Sequence, residues 1–323
     1  MIGIFKNNLF FNSLLLLPYV ILLRIHSLLY PVAYEISESD TLLTKLIFGF
    51  VESALLQNVI AIGLVYYHVL YINRLVIKHR LALQITLLPG LIYSILVSFL
   101  PDYSMLSPYL IANTFVLFCV SQIFKTYKKP KAADLLFNIG FYIALSFLFV
   151  PNYILLILLG IIGLFVMRSA KLLETLQIMS GVLLVVLAFC SILFLFNLPF
   201  LPEILKADLT PKLTIMSLKG ESLYNLVVIF VVALFAVFSY NRYTIKKSIQ
   251  VQKKIDIFYW LMITSFLFLI LANPIDANLF LLLCIPLAVF LNLNFNSIKG
   301  ILVQEIIHIS ALVLLFIHNF GLL

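Results

Sequence analysis

Apolar residues run through this chain in stretches too long for ordinary strands. They fall at about Leu9–Leu29, Leu46–Tyr71, Leu83–Phe99, Pro108–Phe124, Leu135–Val150, Tyr153–Met167, Leu176–Leu198, Leu223–Tyr240, Ile257–Ala272, Asn278–Leu293 and Ile301–Asn319. None shows the dyad alternation of a membrane barrel. Hydrocarbon offers backbone N–H and C=O groups no partner, so each stretch is expected to satisfy its own as a helix. The fifth and sixth, split by Pro151-Asn152, are short and could form a re-entrant hairpin. The pattern therefore predicts an all-α polytopic transmembrane bundle of about eleven helices, with a range of about ten to twelve. Pro89-Gly90 is expected to break the third helix.

Composition strengthens this picture. Of 323 residues, 64% are hydrophobic and 11% charged, against about 25% charged in a soluble domain. Eleven helices would use about 220 residues, so a single integral membrane domain over 1–323 is expected, without a soluble domain. The apolar run after Lys6 lacks a small-residue cleavage site and reads as a first retained helix, not a signal peptide. Cys119, Cys190 and Cys284 all lie inside apolar segments, which argues against a disulfide framework.

The 21 Lys and Arg against 13 Asp and Glu would in a soluble chain point to nucleic acid. Here they point to topology instead, and no nucleic-acid partner is expected. With the N-terminus cytoplasmic, the inner loops hold 16 of the 21 basic residues, among them Arg74, Lys78 and Arg80, Lys125–Lys131, and the cluster from Arg242 to Lys254. The outer loops keep Arg24, Lys45, Lys206, Lys212 and Lys219. That asymmetry predicts an N-in, C-out protein. The two inner clusters could also attract anionic lipid headgroups.

Most acids fall on the other side, and these carry the candidate chemistry. The first outer loop places Glu35, Glu38 and Asp40 within six residues, between Arg24 and His26 on one side and Lys45 on the other. Carboxylates this close repel, which can poise one as a general base. They could also hold a divalent cation through oxygen ligands, while the neighbouring cations grip a phosphate. No resident cofactor is otherwise expected. A solvated polar loop is the plainer alternative. Asp102 and Asp276 follow Pro101 and Pro274 in outer turns, where each could join that site or serve its own turn. Glu52 would lie six residues into the second helix, about 9 Å deep, with Gln57 and Asn58 beyond it; an ionisable group at that depth is a functional candidate. Glu305 and His308 stand at i, i+3 on the last helix, beside Gln304, which is half of a di-metal carboxylate pair or a structural hydrogen bond. His68, His79 and His318 form no box with one another.

Three stretches carry a resemblance: Tyr71-Ile72-Asn73-Arg74-Leu75-Val76, then Leu87-Leu88-Pro89-Gly90-Leu91-Ile92-Tyr93, then Leu136-Phe137-Asn138-Ile139-Gly140-Phe141 with Phe147-Leu148-Phe149-Val150-Pro151. Together they resemble a domain of unknown function found in multi-pass inner-membrane proteins of Bacteroidota, and imply a bacterial inner-membrane location. Glu38-Ser39-Asp40 is also similar to the acidic motif that GT-C type glycosyltransferases using polyprenyl-phosphate sugars place in their first outer loop. That likeness implies Asp40 or Glu38 as base, Asp102 as supporting acid, Arg24 or Lys45 as a phosphate clamp, and a polyprenyl-phosphate lipid as partner. The alternative expectations are a non-catalytic scaffold for partner membrane proteins, or a transporter or lipid flippase coupled through Glu52.

Overall fold

A computed structural model describes residues 2–37, 40–99, 105–168, 171–198, 234, 236–245, 247–271, 280–298 and 300–320. Among them every regular element is helical. In chain order these are α1 (Ile2–Phe5), α2 (Phe10–Leu23), α3 (Ile25–Leu29), α4 (Leu42–Phe50), α5 (Ala54–Lys78), α6 (Leu88–Ser98), α7 (Pro108–Lys125) and α8 (Ala133–Phe149). A 3-10 turn (Pro151–Leu155) leads into α9 (Leu156–Met167), followed by α10 (Leu172–Leu195), α11 (Tyr240–Thr244), α12 (Ile249–Leu271), α13 (Phe280–Phe295) and α14 (Ile301–Asn319). By length and composition α5, α7, α10 and α14 can each cross a membrane, and α2, α6, α8, α9 and α13 are shorter apolar helices. The protein is therefore a helical membrane protein.

Burial sorts the helices. Nearly every residue of α13 is covered, whichever way it points, so α13 forms the centre, packed on α6, α12 and α7. By contrast, α14 leaves Leu302, Ile306, Ile309 and Val313 exposed and lies at the periphery. Such a face suits lipid, which is as apolar as the side chains it meets. Helix α8 is held between α7 and α10, and α9 lies along α12.

Three expected helices differ at their ends, each for a local reason. The first is interrupted at Arg24, between α2 and α3. The third begins at Leu88, so Pro89 stands in its first turn, where its missing N–H costs nothing. Gly90's amide, one of the orphan donors of that turn, finds Asn73 Oδ1 at 2.7 Å.

The second expected helix is two, α4 and α5, joined by residues 51–53. This corrects the depth read for Glu52, which sits exposed in that link and not inside a helix. The break persists because Gln57 Nε2 donates to the Val51 carbonyl at 2.7 Å, satisfying an end that a continuous helix would have satisfied itself.

Candidate functional site

The site read from the sequence lies at the end of the bundle where α2, α6 and α14 finish. Arg24 is only 1% exposed there. Its Nη2 donates to the Val97 carbonyl at 3.3 Å and its Nε to Ser98 Oγ at 3.4 Å. Asn319 Nδ2 donates to the Ser98 carbonyl at 3.1 Å. These carbonyls close the last turn of α6, where no intrahelical donor follows and the helix dipole favours a cation. Arg24 is thus committed to capping a helix, whatever else it touches. Ser27 Oγ donates to the Arg24 carbonyl at 2.8 Å, and Asn58 Nδ2 to the Ser27 carbonyl at 2.8 Å.

The acidic loop is tied to the same cap. Tyr34 packs its ring on Phe48, with centroids 4.7 Å apart. Its amide donates to Gln57 Oε1 at 2.8 Å, beside Asn58 on α5. Its hydroxyl donates to Asp40 Oδ1 at 3.0 Å, and the Ser37 amide donates to Asp40 Oδ2 at 2.8 Å. Asp40 is therefore half-buried and oriented through both oxygens. Thr41 follows it as the N-cap of α4, accepting from the Thr44 amide at 3.3 Å. Lys45 is partly exposed on the first turns of α4, and Glu35 is exposed in the loop. Glu38, Asp102 and Asp276 lie outside the described residues.

A second set of polar groups lies between the helices. His68, fully buried on α5, meets the Tyr93 hydroxyl at 2.9 Å through Nδ1 and Thr114 Oγ1 at 2.8 Å through Nε2. No sequence motif signals this triad, because its members come from α5, α6 and α7 and only packing unites them. Asn113, next to Thr114, accepts from the Tyr153 hydroxyl at 3.1 Å. His308 Nε2 meets the Tyr19 hydroxyl at 2.8 Å, with stacked rings. Glu305 is partly buried and Gln304 binds the Phe295 and Ile298 carbonyls at 3.1 and 3.0 Å. Among the described residues no three His, Cys, Asp or Glu side chains gather as a metal-binding group.

At the far end of α5 the chain collects cations. Lys254, 3% exposed on α12, meets His79 Nδ1 at 2.9 Å. Burial, then the charges of Lys254, Lys78 and Lys125, push the His79 imidazole down to about 4, so its ring stays neutral and accepts. Lys247 donates to the Leu81 carbonyl at 2.5 Å, and burial pushes its ammonium down to about 8. Arg168 joins this end through the Lys129 carbonyl at 2.9 Å and an ion pair with Glu174 at 2.7 Å. Loops read as sharing one side of the membrane thus meet in space.

The chain belongs to a family of unknown function (DUF6427), whose pattern matches residues 42–322. No curated protein and no solved structure matches it.

Proposed function

We propose that this protein acts at the outer face of a bacterial inner membrane as a transferase or polymerase of polyprenyl-linked sugars. In this reading the chain is one integral domain of about eleven crossings, with its N-terminus in the cytoplasm. Asp40, with Glu38 as the alternative, takes the acceptor's proton, Asp102 supports it, and Lys45 grips the lipid phosphate. Arg24 is better suited to ordering the cap than to leaving it, given its bonds to α6. A divalent cation at the acidic loop would fit its oxygen donors.

The observation that carries the reading is the fixing of Asp40. The Tyr34 hydroxyl and the Ser37 amide each hold one of its oxygens while the carboxylate stays partly exposed. A base needs that combination of orientation and access. The test is a mass-spectrometric profile of polyprenyl-linked glycans in wild type, in a deletion strain, and in the deletion complemented with Asp40→Asn. The same truncated intermediate in the last two, with the variant at normal level in the membrane, supports the transferase. Full complementation by Asp40→Asn overturns it.

A second reading, a non-catalytic scaffold for partner membrane proteins, draws on α14. Its uncovered apolar face could meet another helix as readily as lipid. It predicts a stoichiometric partner in gentle detergent and indifference to Asp40→Asn. The transporter reading loses its motivation, since Glu52 lies in an exposed link.

A further inference from the structure

The basic end of the bundle lies one α5 length from the Asp40 loop, about 37 Å for 25 residues. Three parts of the chain meet there. Lys254 lies 5.9 Å from the Phe124 ring and 2.9 Å from His79 Nδ1. Lys253 and Lys128 each lie 5.7 Å from the centre of the Tyr127 ring. Lys125 is within electrostatic reach of Lys78, Arg74 and Lys129. Among the described residues the carboxylates at this end are Asp134, 3.3 Å from Lys129, Asp256, which accepts from the Tyr240 hydroxyl at 2.9 Å, and Glu174, paired with Arg168 at 2.7 Å. His79, neutral, adds no negative charge.

Cations held this close repel one another, and tertiary contacts hold them there nonetheless. The backbone adds a second sign. Arg80 and Lys128 both take a φ of 52°, a conformation that glycine adopts at less cost, and both positions carry a cation instead. The position along the helix identifies the partner. At 25 residues α5 exceeds the roughly 30 Å hydrocarbon core, so Arg74, Lys78 and their neighbours fall at headgroup depth. Tyr127, between two lysines, has the amphipathic ring that favours that depth.

We propose that this end of the bundle binds the phosphate-bearing headgroup of an anionic membrane lipid, held by Arg74, Lys78, Lys125, Lys128 and Lys253 around the Tyr127 ring. Lys254, buried against His79, positions α12 so that Lys253 reaches the group. A topogenic excess of charge needs only the right loops on the right side. A binding site needs cations from separate parts of the chain together, as Lys128 and Lys253 are at the Tyr127 ring and Lys125 is beside Lys78 and Arg74.

The test is native mass spectrometry of the purified full chain, titrated with phosphatidylglycerol or phosphatidylcholine. Wild type should prefer phosphatidylglycerol by tenfold or more. The Lys125→Gln/Lys128→Gln/Lys253→Gln variant should lose that preference, by about fivefold per neutralised lysine, while the triple Lys→Arg variant retains it. Because Lys125 and Lys128 are exposed and Lys253 partly so, the lipid-free variants should unfold at the wild-type temperature, which separates lost binding from lost folding. Equal binding of the two lipids, or an unchanged preference in the Gln variant, overturns the proposal. So does displacement of the lipid by millimolar inorganic phosphate, which would assign the cluster to a free anion.

Discussion

Gly140 of α8 and Gly181 of α10 are each seated on the other helix's backbone. A Cβ on Gly140 would strike the Ile178 carbonyl and crowd the Val182 amide, and one on Gly181 would strike the Phe137 carbonyl and crowd the Phe141 amide. The two helices can lie this close only because neither position has a side chain, the usual means of packing helices where lipid supplies no hydrophobic drive.

Gly140→Ala and Gly181→Ala should therefore each destabilise the protein by about 3 kcal/mol, since backbone must move to admit a methyl group. Gly63→Ala, on α5 with open space where its Cβ would sit, should show no loss. Thermal unfolding in detergent checks all three, and an unshifted Gly181→Ala would refute the close crossing.

Tyr19→Phe removes the hydroxyl that His308 Nε2 meets at 2.8 Å. A double-mutant cycle with His308→Leu should give a coupling of about 1 kcal/mol, typical of a hydrogen bond between helices. Zero coupling would mean the contact adds no stability.

Arg24→Met should cost about 2–3 kcal/mol by leaving the Val97 carbonyl and the Ser98 hydroxyl without the Arg24 donors. Arg24→Lys should recover part of this at most, because one ammonium cannot reproduce the forked contact. If Arg24 served only a lipid phosphate, unfolding of the pure protein would not change.

Stability should depend on pH through His79. Its folded-state value, about 4, lies below the ordinary 6.5, so between these values the unfolded chain binds more protons. Stability is then full above 6.5, falls as pH drops from 6.5 toward 4, and loses nothing further from this group below that. His79→Gln should flatten this part of the profile, which unfolding midpoints at a series of pH values would reveal.

The proposed N-in orientation predicts that a cysteine at Glu35 reacts with an impermeant maleimide in intact cells, whereas one at Lys128 reacts only after permeabilisation. The reverse pattern would invert the topology and move the Asp40 loop to the cytoplasm.

The sequence by itself determined that this is a helical membrane protein, because apolar runs and backbone hydrogen bonding in hydrocarbon leave helices as the solution for such stretches. Expected and observed helices agree closely at Pro108–Lys125 and Ile301–Asn319, where runs end at capping or charged residues. Hydropathy could not place the breaks at Arg24 and Glu52, because the apolar runs continue on both sides of these polar residues. The ends are chosen by side-chain partners, Ser98 on another helix for the one and Gln57 just beyond the link for the other. The same limit hid the His68–Tyr93–Thr114 triad and the meeting of His79 with Lys254, which join residues 25 to 175 positions apart. Periodicity reports which face of a helix is apolar. Which helix that face will meet is decided only when the whole bundle packs, and with it whether Asp40 and its neighbours stand as a solvated loop or as an ordered cap.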